Sequence, residues 1–398
     1  MEELKGKIQK MARDLLPEVV NIRRHIHQYP ELSFQEYETS KFVKKILDNQ
    51  NISYQDGFVS TGILARIDGQ KEGKRVVALR ADLDALPITE ETGLDFASAN
   101  PGVMHACGHD AHTASLLGTA MILNQLRDHF GGTVLFIFQP AEEKAPGGAR
   151  SMLEEGIFKD IEPDLILAQH VMPGMPTGTV GFKTGRYMAS SDEIYITLKG
   201  PGGHAAMPHQ TTDLILVSSH IIVALQQIVS RHAEAFTPTV LSFGKLIADG
   251  AVNVIPSELK LEGTFRTMDE DWRQQALNRM EEMARSIAGS MGAQCEFRIA
   301  EGYPVLNNDK DITQKSVAYA ASYLGRQKVT ELPPRMTAED FAHFANRYPS
   351  TFYRLGVSDP GDGIVHGLHT PGFTIDEQAL ITGTGLFSFL AVQHLSDA

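Results

Sequence analysis

Three short apolar runs constrain the fold of this chain more than any other feature. Val76 to Leu79, Thr133 to Phe138 and Leu165 to Ala168 each lead to polar residues: Asp82 and Asp84, Glu142 and Glu143, and His170. Runs of this length read as strands buried on both faces, as in parallel sheets. Helix signals separate them. Ser33 with Glu36 predicts a capping box ahead of a helix through Phe42, Val43, Ile46 and Leu47. Asp110 is expected to cap a helix over about Ala111 to Leu126. Alternating strands and helices mean an α/β domain, and such sheets gather ligands at the carboxyl ends of their strands.

The middle of the chain is patterned differently. Glu193 to Leu198 alternates as a half-buried strand does. A helix from about Leu214 to Ser230 follows, then strands near Thr239 to Leu246 and Glu258 to Phe265. A long polar helix from Glu270 to Ser290 and a strand from Cys295 to Ile299 complete the set. The order β-α-β-β-α-β is the ferredoxin-like arrangement. Residues 187–300 are therefore expected to form a small α+β domain. It interrupts an α/β domain built from residues 1–186 and 301–398.

Composition excludes some classes. A net charge of −13 argues against a nucleic-acid partner, which would need clustered Lys and Arg. The charged start, Met1 to Lys7, lacks the apolar core of a signal peptide, and no unbroken apolar run predicts a membrane span. Two distant cysteines, Cys107 and Cys295, cannot staple a chain this long. A cytoplasmic protein with reduced thiols is expected.

Chemistry concentrates in His105-Ala106-Cys107-Gly108-His109-Asp110-Ala111-His112. A thiolate and an imidazole two residues apart on extended backbone point to one side, and the pair suits zinc and its borderline-soft neighbours. Glu142 and Glu143 offer one carboxylate to hold a metal and one to move protons, a combination that points to metal-assisted hydrolysis. Bland readings exist for each. A lone cysteine is more often a core thiol, and paired glutamates more often start a solvated helix. Cys107 beside His109, and a Glu pair behind a buried run and Pro140, depart from both. His112, His129, His209, His220, His232, His343 and His394 read as structural or solvated. Asp340 is either near the metals or a helix-start acid. Neither G-x-S-x-G nor H-E-x-x-H occurs.

Together these segments resemble the M20 metallopeptidase family, in particular its amidohydrolase branch of aminoacylases, hippurate hydrolases and auxin-conjugate hydrolases. The likeness covers nearly the whole chain. His25 to Leu32, Arg80 to Pro87, Met104 to Thr113, Gln139 to Glu143, Gly202 to Ala206, Asn253 to Pro256 and His366 to His369 occur in family order. The resemblance implies a zinc-peptidase-like catalytic domain with a mixed sheet, interrupted by the ferredoxin-like domain. It implies two divalent metal ions per chain, zinc, manganese, cobalt or nickel. Cys107 would bridge them, Glu143 and His369 completing one, His109 and His170 the other. The wider family bridges its ions with a carboxylate; Cys107 departs from that pattern and matches the amidohydrolase branch. Glu142 is then the general base and Asp84 the aspartate that orients a ligand, with Asp82 its lesser rival. His204 would stabilise the oxyanion across a dimer interface, and Asn253 would touch substrate. Arg266 is the candidate for a substrate carboxylate. His369 is preferred to His366 because Thr370-Pro371-Gly372 follows it. The activity implied is deacylation of small N-acyl amino acids by a homodimer paired through the inserted domain. A dipeptidase or carboxypeptidase is the alternative. A non-catalytic metal-binding or thiol redox-sensing protein is a third reading.

Overall fold

A computed structural model describes residues 2–358, 361 and 365–397. The backbone gathers into two compact units. One comprises Met1–Gly185, Asn307–Pro333 and Asp340–Ala398, the other Arg186–Leu306 and Pro334–Glu339. The short Pro334–Glu339 segment joins the second unit through backbone pairing: the Ala189 N–H donates to the carbonyls of Arg335 and Thr337, and the Arg335 N–H to that of Tyr187.

The first unit is built on an eight-stranded mixed sheet. Its order is Ser53–Phe58, Gly62–Asp68, Gly131–Gln139, Lys71–Asp82, Leu165–Pro176, Ser350–Ser358, Val180–Phe182, Val329–Glu331. The strands Gly131–Gln139, Lys71–Asp82, Leu165–Pro176 and Ser350–Ser358 run parallel to one another. The first three contain the buried apolar runs, and the register sets Asp82 level with Gln139 and Arg80 level with Ala168, so Asp82, the segment after Gln139 and His170 come out at one side of the sheet. The helices His109–Gln125 and Ala379–Ser396 are apolar on most faces and buried, as expected of helices inside a core. Two described helices, Leu214–His232 and Ala379–Ser396, are long and apolar enough to cross a membrane on composition alone, but the second is a core helix.

Two expected caps are not formed. The helix after Ser33 starts at Tyr37, and neither Ser33 nor Glu36 caps it. Ser33 Oγ instead donates to Asp84 Oδ2 at 2.6 Å, and the Glu31 carboxylate accepts the N–H groups of Glu38 and Thr39. Asp110 lies inside the first turn of a helix that begins at His109. Its carboxylate accepts from Arg23 Nε at 2.7 Å and bonds to His27 Nδ1 at 2.8 Å. In both places a buried tertiary partner outcompeted the local cap.

Glu36 braces the loop that follows Gly131–Gln139. Fully buried, it accepts the N–H groups of Phe34 and Ala141 and the Thr61 hydroxyl. Burial, and then the Asp84 carboxylate, raise its pKa to about 7 from an ordinary 4.5. Between those values the unfolded chain has lost the proton and the folded chain keeps it. Stability is therefore lost as pH rises through that window, by about 3 kcal/mol for a shift of this size. Glu36→Gln can accept the same N–H bonds and donate to Thr61. Its stability relative to the wild type is expected to be about 3 kcal/mol greater at pH 8 than at pH 4, read by urea denaturation. A pH-independent difference would rule this out.

The second unit carries a four-stranded antiparallel sheet in the order Thr239–Ala248, Glu258–Thr267, Asp192–Lys199, Gln294–Glu301. Helices Leu214–Gln227 and Glu270–Ser290 pack on it. Both start on a side-chain cap: Asp213 accepts the N–H groups of Ile215 and Leu216, and Asp269 that of Trp272. Chain order and sheet order together are ferredoxin-like.

Candidate metal centre

The parallel strands deliver the site. Asp82 closes its strand in register with Gln139, the last residue of the neighbouring strand. Beyond Gln139 the chain turns at Ala141, whose φ is +52°, and presents Glu142 and Glu143. Their backbone N–H groups donate to the two oxygens of buried Asp84, at 3.0 Å each. Asp84 also lies behind His109: the His109 Nδ1–H donates to the Asp84 carbonyl at 2.8 Å and sits 3.3 Å from Oδ1. Asp84 thus ties the glutamate loop to one imidazole. Asp82 faces the same ring, with Oδ2 3.7 Å from His109 Nε2.

Gly108 sets the turn between Cys107 and His109. Its φ is +82°, and a β-carbon there would come within 2.4 Å of Val171 Cγ2, so both conformation and space require glycine. Val171 follows His170 on the Leu165–Pro176 strand. His369 arrives from the far end of the chain at φ +61°, its N–H donating to the Ala106 carbonyl.

Of five clusters of possible ligand atoms among the described residues, two share Cys107. Cys107, His109 and His170 each offer a ligand atom within 4.8 Å of the others, and so do Cys107, Glu143 and His369. Cys107 belongs to both. Its Sγ is 3.4 Å from His170 Nε2, and His369 Nε2 is 3.1 Å from Glu143 Oε1. Glu142 stands beside them, Oε2 lying 4.0 Å from His109 Nε2 and Oε1 accepting the Asp340 N–H at 3.4 Å. His366 is exposed and belongs to neither set. The remaining predicted residues lie in the second unit. His204 pairs with Val254 on a two-stranded ladder, and the Asn253 carbonyl accepts the Ala205 N–H, so these two exposed residues are neighbours. Arg266 stands on the Glu258–Thr267 strand and donates to the Met336 carbonyl at 3.3 Å.

Electrostatics favour bound cations. His109 Nε2 is buried and has no hydrogen-bond partner among the described residues. Burial alone would lower the His109 pKa, but Asp82, Asp84 and Glu143 outweigh it and push it up to about 10. Burial, then Glu143 and Glu142, push the Cys107 thiol well above its ordinary value. Anionic charge thus crowds a buried nitrogen that lacks a partner, and cations would answer both. Sulfur, imidazole and carboxylate donors together fit zinc-like ions. Binding must displace the protons on His109 and Cys107.

Behind these residues lies a network with little local signature in the sequence. Arg80 is buried and donates to Gln139 Oε1 at 2.8 Å, Asp82 Oδ2 at 2.7 Å and Asp340 Oδ1 at 2.9 Å. Asp340 also accepts the Ala149 N–H. His112 is bonded to Asp82. Spacing along the chain could not have revealed most of these partners, since Gln139, His112 and Asp340 lie far from Arg80 and Asp82 in sequence.

Parallel strands that end in two donor sets sharing one thiol, with a further carboxylate alongside, have the make-up of a two-metal hydrolase centre. Residues 78–393 match the peptidase family M20/M25/M40, and the chain belongs to that family. It is 43% identical over 376 residues to the N-acetylcysteine deacetylase of Bacillus subtilis (strain 168), covering 94% of this chain and 96% of the relative. It is 44% identical over 307 residues to the N-acyl-L-amino acid amidohydrolase of Geobacillus stearothermophilus, covering 77% of this chain and 82% of the relative. The crystal structure of the Bacillus subtilis YXEP protein, a dinuclear metal binding peptidase from the M20 family, superimposes with a TM-score of 0.81 at 38% identity. That match covers 97% of this chain and all of the other.

Proposed function

We propose that this protein is a dinuclear metal-dependent amidohydrolase that removes the acyl group from N-acyl amino acids. The observation that carries the reading is the pair of donor sets meeting at Cys107 with Glu142 beside them. The names of the deacetylase and amidohydrolase relatives support the substrate class. Cys107, His109 and His170 would hold one ion, and Cys107, Glu143 and His369 the other. Bound ions supply Lewis acidity that acidifies water and polarises an amide oxygen. Glu142 accepts the proton of the attacking water on Oε2 and passes it to the departing nitrogen, acting first as base and then as acid. The Asp340 N–H keeps Oε1 turned away from that task. Asp84 holds the backbone of both glutamates, so proton carrier and ligand keep a fixed spacing. His204 and Asn253 are proposed as substrate contacts, and Arg266 as a further candidate. Chelator-stripped protein, reloaded with zinc, manganese, cobalt or nickel, tests the reading on N-acetyl amino acids, N-benzoyl amino acids and dipeptides. Metal-dependent turnover of the acyl amino acids is expected. Preference for dipeptides would move the assignment to a peptidase, and turnover that survives full metal removal would overturn it.

We further propose that copies pair through the second unit. Thr239–Ala248 is an edge strand, and Val240, Leu246 and Ile247 on it are exposed, as are Ile215, Leu216 and Val223 on the Leu214–Gln227 helix. An unpaired edge beside apolar residues suits a second copy. Analytical ultracentrifugation is expected to give a dimer, which Leu246→Lys with Ile247→Lys dissociates. A wild-type monomer at assay concentration would contradict this.

A further inference from the structure

We propose that His112, with Asp82 behind it, is a positioning residue that fixes His170 for ion binding; this rests on the two-metal reading above. His112 is buried, and both its ring nitrogens are engaged. Nδ1 bonds to Asp82 Oδ1 at 2.6 Å, and Nε2 accepts the Val171 N–H at 2.9 Å. A backbone N–H can only donate, so Nε2 carries the lone pair and Nδ1 the proton. His112 therefore has no nitrogen to offer an ion, although its ring lies in one cluster with Asp82 and His109.

Val171 is the residue through which His112 acts. The Val171 carbonyl accepts the His170 Nδ1–H at 2.7 Å, which leaves the Nε2 lone pair 3.4 Å from Cys107 Sγ. The Val171 side chain packs on Gly108, next to Cys107. One residue is thus held by His112 through its N–H, orients His170 through its C=O and seats the turn that carries the shared thiol. The His112 ring also packs edge-on against that of His170, with centroids 4.6 Å apart. Asp82 is itself anchored, by Arg80 Nη1 at 2.7 Å and, through its carbonyl, by the Thr113 hydroxyl at 2.7 Å. The support runs from Arg80 through Asp82, His112 and Val171 to His170. Partners of this kind set ligand orientation, and their loss typically costs about 10–100-fold in metal affinity.

Asparagine and glutamine separate the two bonds. His112→Asn keeps a donor near Asp82 and loses the acceptor for Val171; His112→Gln keeps an acceptor near Val171. Chelator-stripped full-length protein is titrated with zinc(II) against a chromophoric chelator, which reads both binding steps without turnover. Melting of the ion-free variants checks their folding. The wild type is expected to take up two ions. His112→Asn should weaken one step by about 10–100-fold and the other much less, while His112→Gln, which loses only the Asp82 bond, should weaken the same step by less than His112→Asn does. A folded His112→Asn with both wild-type affinities overturns the proposal, as does equal weakening of both steps. If His112→Asn does not fold, Asp82→Asn is expected to weaken the same single step, and wild-type affinities in that variant overturn the proposal. A wild type that binds fewer than two ions would defeat the two-metal reading itself, so the two failures are distinguishable.

Discussion

Glu142→Gln is expected to retain both ions and lower kcat by about 10³-fold, within the range that general acid–base catalysis contributes. The amide oxygen of glutamine can still accept the Asp340 N–H that Glu142 Oε1 now accepts. The backbone N–H of residue 142 can still donate to Asp84. Shape and anchoring therefore survive, and only proton transfer is lost. KM should change little, because the substitution removes an interaction made in the transition state. Glu142 also lies in a cluster with His109 and Glu143. Elemental analysis therefore matters as much as the rate: a variant that loses an ion along with its activity would make Glu142 a ligand, and near-normal turnover would end its role as base.

Cys107→Ala should have the largest effect on metal content. Every other donor belongs to one of the two sets that meet at Cys107, whereas Cys107 belongs to both. Removing a shared donor leaves each set with two protein ligands, which is too few for the three of a typical catalytic zinc site. Loss of both ions at micromolar zinc, and of all activity, is the expected result. His369→Ala provides the contrast, since it depletes a single set and should leave one ion. The smaller alanine side chain is accommodated at this buried position, so melting of the ion-free variant should stay close to wild type. Two ions retained by folded Cys107→Ala would remove the sulfur from the centre.

Much of this architecture was legible because its signals are local. The apolar runs that end at Asp82, Glu142 and His170 are continuous in sequence, and the sheet needs little else to specify which ends meet. The long polar helix expected over Glu270–Ser290 has those bounds in the structure. The five donor residues implied by the family resemblance come together in space: His170 lies within a parallel strand, His109 opens a helix, and Cys107, Glu143 and His369 lie on connecting segments. Long-range partners were not legible. Ser33 and Asp110 look like helix caps, but Asp84 binds the first, and Arg23 and His27 bind the second. His112 looks inert until Asp82 and Val171, from two strands beside its helix, are seen on its two nitrogens. A side chain's competition among buried partners is decided by tertiary geometry, and no window of neighbouring residues contains it.

The donor groups are spread along the chain from Cys107 to His369. A nascent polypeptide therefore has no complete pair of sets until position 369 has left the ribosome. Ions of the proposed centre would then be drawn from the pool that meets the folded chain, and supply in the growth medium should govern the occupant more than the moment of synthesis.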